Sequence, residues 1–394
     1  MTNNPFGSNP FETVFKDLLK AMASQADLAG SIAEQFAMSV VSSETNAANP
    51  DPLGRMKIDS LFDIAQRNLT SDSMISEYLA SKVLHVATVS QLEYVQILLR
   101  DLSPLIAKLE SLSKTSTGDL DLQSETSQMF AGLPLAQMSA MIGPFMSGMN
   151  VGSCVGHLAQ ETFATFDVIL PRQKSDIAII YDNLEPFASA WNLNLDELIL
   201  WISLQQITTA TLLSLPHIAK IVNDAIDNHL NAALLMSQSL TKRLENLDMS
   251  DPNALESLTS DPTQLIGIEL SENQEFQMRN TAKALAVIVG MADYITSTAA
   301  RRLLGNFEQI TEALRRRRLE QRSGEELFGN IFGINLNASA YEIGHKFIFG
   351  VVERDDENKL SAILQSPLAF PTPNEVDAPG LWLARLETMP GNSK

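Results

Sequence analysis

The sequence predicts a mainly α fold with one small β-hairpin at about residues 166–181. Apolar residues recur at helical spacing through long stretches, as at Leu61, Ile64, Ala65 and Leu69. Helix-start signals stand before several such runs: Asn194 with Glu197, Ser271 with Gln274, and Thr372 with Pro373 and Glu375. Short β-branched runs come together in one place, Phe166–Leu170 and Ile177–Tyr181, separated by Pro171–Asp176.

Taken in order, residues 1–10 are a polar, Pro/Asn-rich tail, and Glu12–Ala23 is amphipathic. A further helix runs to Val41, and Ser42–Pro52 is a linker. Lys57–Ser113 has helical spacing, and Lys114–Gln123 is a Thr/Ser/Gly/Asp-rich loop. Thr126–Gln160 carries no Asp, Glu, Lys or Arg, which is long enough to span a bilayer, but its prolines and polar residues lower its hydropathy. Gly148, Gly152 and Gly156 share one face of it, a spacing that lets helices approach closely in lipid or in a soluble core. A tightly packed soluble helix is favoured, with a membrane-associated protein as an alternative. After the hairpin, Asn194 opens a helix at about 195–213 that Pro216 ends, and Ser271 opens a long one reaching about Leu304. A helical N-terminal part, 11–125, is expected to pack on the part 126–394 as one unit.

Composition narrows the function classes. Of 394 residues, 45% are hydrophobic and 19% charged, which suits a globular chain and excludes a wholly disordered one. The net charge of −19 repels nucleic acid and anionic lipid, so no nucleic-acid partner is expected. A single cysteine, Cys154, excludes an intramolecular disulfide. The tail lacks a basic stretch followed by an apolar one, and a cytoplasmic location is expected.

The segment Trp191-Asn-Leu-Asn-Leu-Asp-Glu-Leu-Ile-Leu-Trp201-Ile-Ser-Leu204 resembles the approach to the metal-binding helix in a bacterial zincin-like metallopeptidase family. Ser250–Leu255, Asp261-Pro262, Glu312–Arg318, Phe349–Glu353, Ser366-Pro367 and Pro371–Arg385 are similar to further segments of that family, in order, from about Lys57 onward. The resemblance implies a zincin-like helical fold and, after Leu204, the motif His-Glu-x-x-His. Two histidines four apart on a helix bind one Zn²⁺, and the Glu between them takes a proton from the bound water. Here Gln205 and Thr209 stand at the histidine positions and Gln206 at that of the base. A third ligand, a Glu on a later helix, is replaced by Val289, while Asp293 persists where a carboxylate would orient a zinc ligand. Amide and hydroxyl oxygens are poor zinc ligands beside imidazole. The resemblance therefore implies a homologue without catalytic residues, metal or cofactor. Without the resemblance, Gln205, Gln206, Thr208, Thr209 and Thr211 read simply as polar residues of a partly exposed helix.

Other candidates compete with this reading. Cys154, His157 and Glu161 share one face if the helix continues, the best replacement metal set, although Glu161 also suits a solvated helix end. His217 and His229, with Asp224 and Asp227 nearby, have no recognised ligand spacing. Gly152-Ser-Cys154-Val-Gly156 has the form of a nucleophile elbow, which needs a strand–turn–helix context. Arg315–Arg318, with Arg301, Arg302 and Arg322 nearby, wraps around a helix, where Glu312, Glu320, Glu325 and Glu326 offer local partners; docking of an acidic partner or phosphate is the alternative. The expected function is a binding, scaffold or regulatory protein with a protein or peptide partner, such as an active paralogue. The alternatives are a hydrolase using Cys154 or a rebuilt metal site, and the membrane-associated protein.

Overall fold

The computed structural model describes residues 28–42, 52–80, 82, 84–117, 135–174, 176–245, 272–320 and 322–389. The tail, Glu12–Ala23, most of the linker, Ser250–Leu255, Asp261-Pro262 and the Ser271 cap lie outside them. In order come α1 (Leu28–Ser42), α2 (Pro52–Ser71), β1 (Val86–Val89), α3 (Gln91–Thr117), α4 (Leu135–Glu161), β2 (Ile177–Ile180) and α5 (Tyr181–Ala190). Then follow α6 (Leu195–Leu213), α7 (Pro216–Glu245), α8 (Glu272–Leu303), α9 (Phe307–Arg317), α10 (Ser323–Phe332), α11 (Ala338–Val352), α12 (Pro373–Asp377) and α13 (Pro379–Thr388). The fold is mainly α, as the sequence predicts.

Contacts divide the chain into one unit of 1–46 with 95–157 and another of 47–94 with 158–394. In the first, the glycine stripe of α4 lies directly on α1. A Cβ on Gly148 would come 2.7 Å from the Ala29 carbonyl oxygen, and one on Gly152 would come 2.5 Å from that of Ala33. On Gly156 it would meet the Val40 Cβ at 2.6 Å. The small residues thus serve close helix packing. Among the described residues no single helix is long and apolar enough to cross a membrane; by length and composition only the pair 195–213 and 216–235, bent by 86°, meets that test.

In the second unit α6 is the central helix. Every residue from Leu198 to Leu213 except Gln205 is buried, as an all-round apolar helix must be. The Asn194 side chain accepts the backbone N–H groups of Asp196 and Glu197, which fixes the helix start. The helix ends at Leu213 with Ser214 as its C-cap, before Pro216 as expected, and Pro216 opens α7 at its first position. Along α6, the hydroxyls of Ser203 and Thr211 donate to carbonyls one turn back, at 2.8 and 2.7 Å. Helix α8 meets α11 at Gly290 and Gly344, where a Cβ on Gly344 would stand 2.1 Å from the Ala286 carbonyl oxygen.

The hairpin expected at 166–181 is replaced by a parallel pair. Strand β2 occupies the second half of that segment, but its partner is β1, in the register Val86↔Ile177 to Val89↔Ile180. All four β2 residues are buried, the continuous apolar pattern of a parallel strand. On its other edge the Thr165 hydroxyl accepts from Ala178 N at 2.7 Å, and the Phe163 carbonyl accepts from Ile180 N at 2.8 Å. A side chain and one isolated antiparallel bridge, Ala164↔Ile179, thus stand where a second hairpin strand would lie. Residues 165–167 form a 3₁₀ turn.

Candidate functional site

Four sequence-predicted positions come together. Gln205 and Thr209, one turn apart on α6, and Val289 and Asp293, one turn apart on α8, line one cavity of about 40 Å³. Phe163, Phe166 and Asp167 close it on one side, and Leu314, Arg317, Arg318, Arg322 and Tyr341 on the other.

Gln206 points elsewhere. It is fully buried; its Oε1 accepts from the Phe166 N–H at 2.6 Å and its Nε2 donates to Asp167 Oδ1 at 2.8 Å. The other oxygen of Asp167 accepts from the N–H groups of Phe163 and Ala164, at 2.7 and 3.4 Å. The amide therefore ties α6 to the 163–167 turn, and both of its ends are used. Thr208 Oγ1, on another face of α6, is buried without a hydrogen-bond partner.

The cationic wall comes from α9 and the turn after it. Phe307, Ile310, Ala313 and Leu314 form the buried face of α9, and Arg317 and Arg318 continue that face three and four residues beyond Leu314. Arg318 is held by Asp293 through two bonds of 2.5 and 2.7 Å, and its guanidinium lies 4.1 Å from the Tyr341 ring centroid. Burial works against charge on Arg318, but Asp293 outweighs it and raises the guanidinium above its ordinary value. Burial also pushes the Tyr341 hydroxyl up to about 12, against the pull of Arg318. Arg317 donates to the Glu161 carbonyl and packs 3.6 Å from the Phe163 ring centroid. Burial, with Arg322 beside it, draws Arg317 down to about 10, which leaves it charged at neutral pH. Arg322 donates to Glu325, whose carboxyl burial holds above its usual range despite Arg322 and Arg317.

The arginine run thus divides. Arg315 and Arg316 form the expected exposed pairs with Glu312, at 2.8 and 2.6 Å. Arg317 and Arg318 face inward, which the sequence reading missed. The available signal was spacing: any residue three or four beyond Leu314 shares the face set by Ile310 and Leu314. Asp167 was missed too, because it reaches the site through a short turn, and Arg322 was read only as a neighbour of the solvated arginine run.

A zinc ion is held by imidazole, thiolate or carboxylate. The cavity offers an amide, a hydroxyl and a valine, and the Asp293 carboxylate is taken by Arg318. These residues do not fit that ion. Among the described residues no group of three or more His, Cys, Asp or Glu is placed to hold a metal ion. The side chains raised as replacements are engaged elsewhere. Glu161 accepts the Gly324 N–H at 2.9 Å; the His217 and His229 rings contact the carbonyls of Ile363 and Asn330 at 2.8 and 3.0 Å. Cys154 is fully buried within α4, not on a strand-to-helix turn.

Beside the small cavity lies a larger one of about 400 Å³, sharing Asp167, Ile169, Arg318, Arg322 and Glu325 with it. Its other walls include Val168, Phe328, Ile334, Glu320 and Glu326.

A solved structure from Chloroflexus aurantiacus, described as a putative hydrolase with a novel fold, is similar to this chain. The two are 16% identical over 91% of this chain and 99% of the other, with a TM-score of 0.61. At that identity the likeness shows the fold. No curated protein matches. The model of the zincin-like metallopeptidase family matches residues 27–383, nearly the full length of the chain. The chain belongs to the zincin-like metallopeptidase family.

Proposed function

We propose that this chain is a non-catalytic member of its family, a pseudoenzyme that keeps a peptide-binding cleft and acts as a binding or regulatory protein. The observation that carries the reading is the convergence of Gln205, Thr209, Val289 and Asp293 on one cavity. These are the positions at which the family resemblance places two histidine ligands, a glutamate ligand and a supporting carboxylate. Their convergence supports the alignment, and their chemistry argues against metal-activated water. The base position, Gln206, has no carboxylate and spends both ends of its amide on the 163–167 turn. A peptide partner, or an active paralogue presenting one, is the class of ligand such a cleft would keep.

The test is to rebuild the ligands alone. The triple variant Gln205→His, Thr209→His, Val289→Glu should acquire zinc affinity by calorimetric titration, with the wild type showing none. A folded triple variant that binds zinc no better than the wild type refutes the equivalence of these positions. Wild-type protein with chelator-sensitive peptidase activity refutes the loss of catalysis.

A further inference from the structure

We propose that the 400 Å³ cavity takes a peptide segment that seats an apolar side chain inside it and sets a neighbouring lysine or arginine at its mouth, against Glu320 and Glu326. The inference rests on the reading above, that the cleft is kept for binding. The volume lies within the roughly 300–1,000 Å³ of small-ligand pockets, and the cavity shares Asp167, Ile169 and Arg318 with the smaller one between α6 and α8.

Charge chooses the sign of the ligand. Four carboxylates line the cavity, those of Asp167, Glu320, Glu325 and Glu326, against the two guanidiniums of Arg318 and Arg322. Both guanidiniums are already paired, Arg318 with Asp293 and Arg322 with Glu325. Asp167 is occupied as well, by the Gln206 amide and the N–H groups of Phe163 and Ala164. What is left over is negative. Glu320 and Glu326 are exposed, and neither side chain has a hydrogen bond or ion pair among the described residues. An anion would meet carboxylates with no free cation beside them, whereas a cation at the mouth finds two carboxylates that nothing else neutralises.

The floor chooses the rest. Val168, Ile169, Phe328 and Ile334 are buried apolar side chains lining the same cavity. A small inorganic cation would leave that surface in water, and a neutral apolar ligand would leave the two glutamates unanswered. One peptide segment supplies both parts. An aliphatic side chain covers the floor, while a lysine or arginine beside it lays its apolar stem along the wall and keeps its charged head at the wet rim. The net charge of −19 draws such a peptide from a distance but does not select this cavity; the two rim carboxylates do.

The experiment is calorimetric titration of the full chain at low salt with lysyl-leucyl-lysine, acetylated and amidated so that it carries no terminal charge. Two analogues accompany it, one with glutamine for both lysines and one with alanine for leucine. The parent peptide should bind and each analogue about tenfold or more weakly, and the lysine preference should shrink at about 0.5 M salt. With Glu320→Gln and Glu326→Gln together, both at exposed positions, the parent should bind no better than the glutamine analogue. The wild-type comparison of parent and analogues stands even if that variant folds poorly. No binding of the parent, equal binding of the parent and either analogue, or a lysine preference that survives the double variant overturns the inference. The last result would mean a general attraction to the net charge. Failure here is distinct from failure of the functional reading. A zinc-free, inactive protein that ignores these peptides sinks only the inference, whereas a zinc-bearing active protein sinks the reading.

Discussion

Returning a carboxylate to the base position should destabilise this protein in a pH-dependent way. In Gln206→Glu one oxygen can still accept from Phe166 N–H, now 2.6 Å from the amide oxygen. The donor is lost, and the new carboxylate faces Asp167 Oδ1, now 2.8 Å from the amide nitrogen. Two carboxylates at that separation inside a protein cannot both ionise. The introduced group must keep its proton or break the contact. A carboxyl forced to hold its proton to about pH 7, instead of losing it near pH 4.3, costs roughly 3–4 kcal/mol once the pH exceeds both values. The sign follows from the native state binding the extra proton: stability matches the wild type near pH 4, where the protonated group donates to Asp167 as the amide does. It falls as pH rises through the raised native value. Urea unfolding at intervals between pH 4 and 8 measures this, and Gln206→Glu with Asp167→Asn should recover most of the loss. A single variant as stable as the wild type at pH 8 refutes the assignment of Gln206 as the tie to the 163–167 turn.

Three further outcomes are expected. Arg318→Met leaves the Asp293 carboxylate, 31% exposed, without its bidentate partner; the loss should be about 2 kcal/mol by chemical denaturation, smaller when Asp293→Asn is added. Gly344→Ala places a methyl against the Ala286 carbonyl and should cost about 3 kcal/mol, read as a lowered melting temperature. Burial alone would raise the Glu375 carboxyl, but the Arg385 guanidinium and the Thr372 N–H outweigh it and hold it below its ordinary value. Its contribution is therefore present above the ordinary carboxylate range and is lost as pH falls through the depressed value, so Arg385→Leu should flatten the acid limb of the stability profile.

Local signals made much of this legible in the sequence. The Asn194 cap, the apolar run to Leu204 and the 372–375 helix start depend on neighbours in the chain, and each is found where the pattern puts it. The glycine stripe of α4 was readable as close packing, though its partner, α1, was not. The parallel strand pair was hidden because Val86–Val89 is four residues inside a stretch of helical spacing, and its partner, Ile177–Ile180, lies far along the chain. Of the cavity, the α6 and α8 positions were legible through the family resemblance, which supplies spacing that a lone glutamine pair lacks. Arg317 and Arg318 were obscured by charge: four consecutive arginines read as surface, yet a helix cannot present four consecutive positions to solvent. Arg322 and Asp167 come from short turns, where periodicity carries no information.

Elemental analysis of untagged protein, purified with zinc present and then dialysed against chelator, tests the central claim most directly. The account predicts far less than one zinc per chain. One equivalent of zinc retained through dialysis, and lost on substitution of residues between α6 and α8, would contradict it.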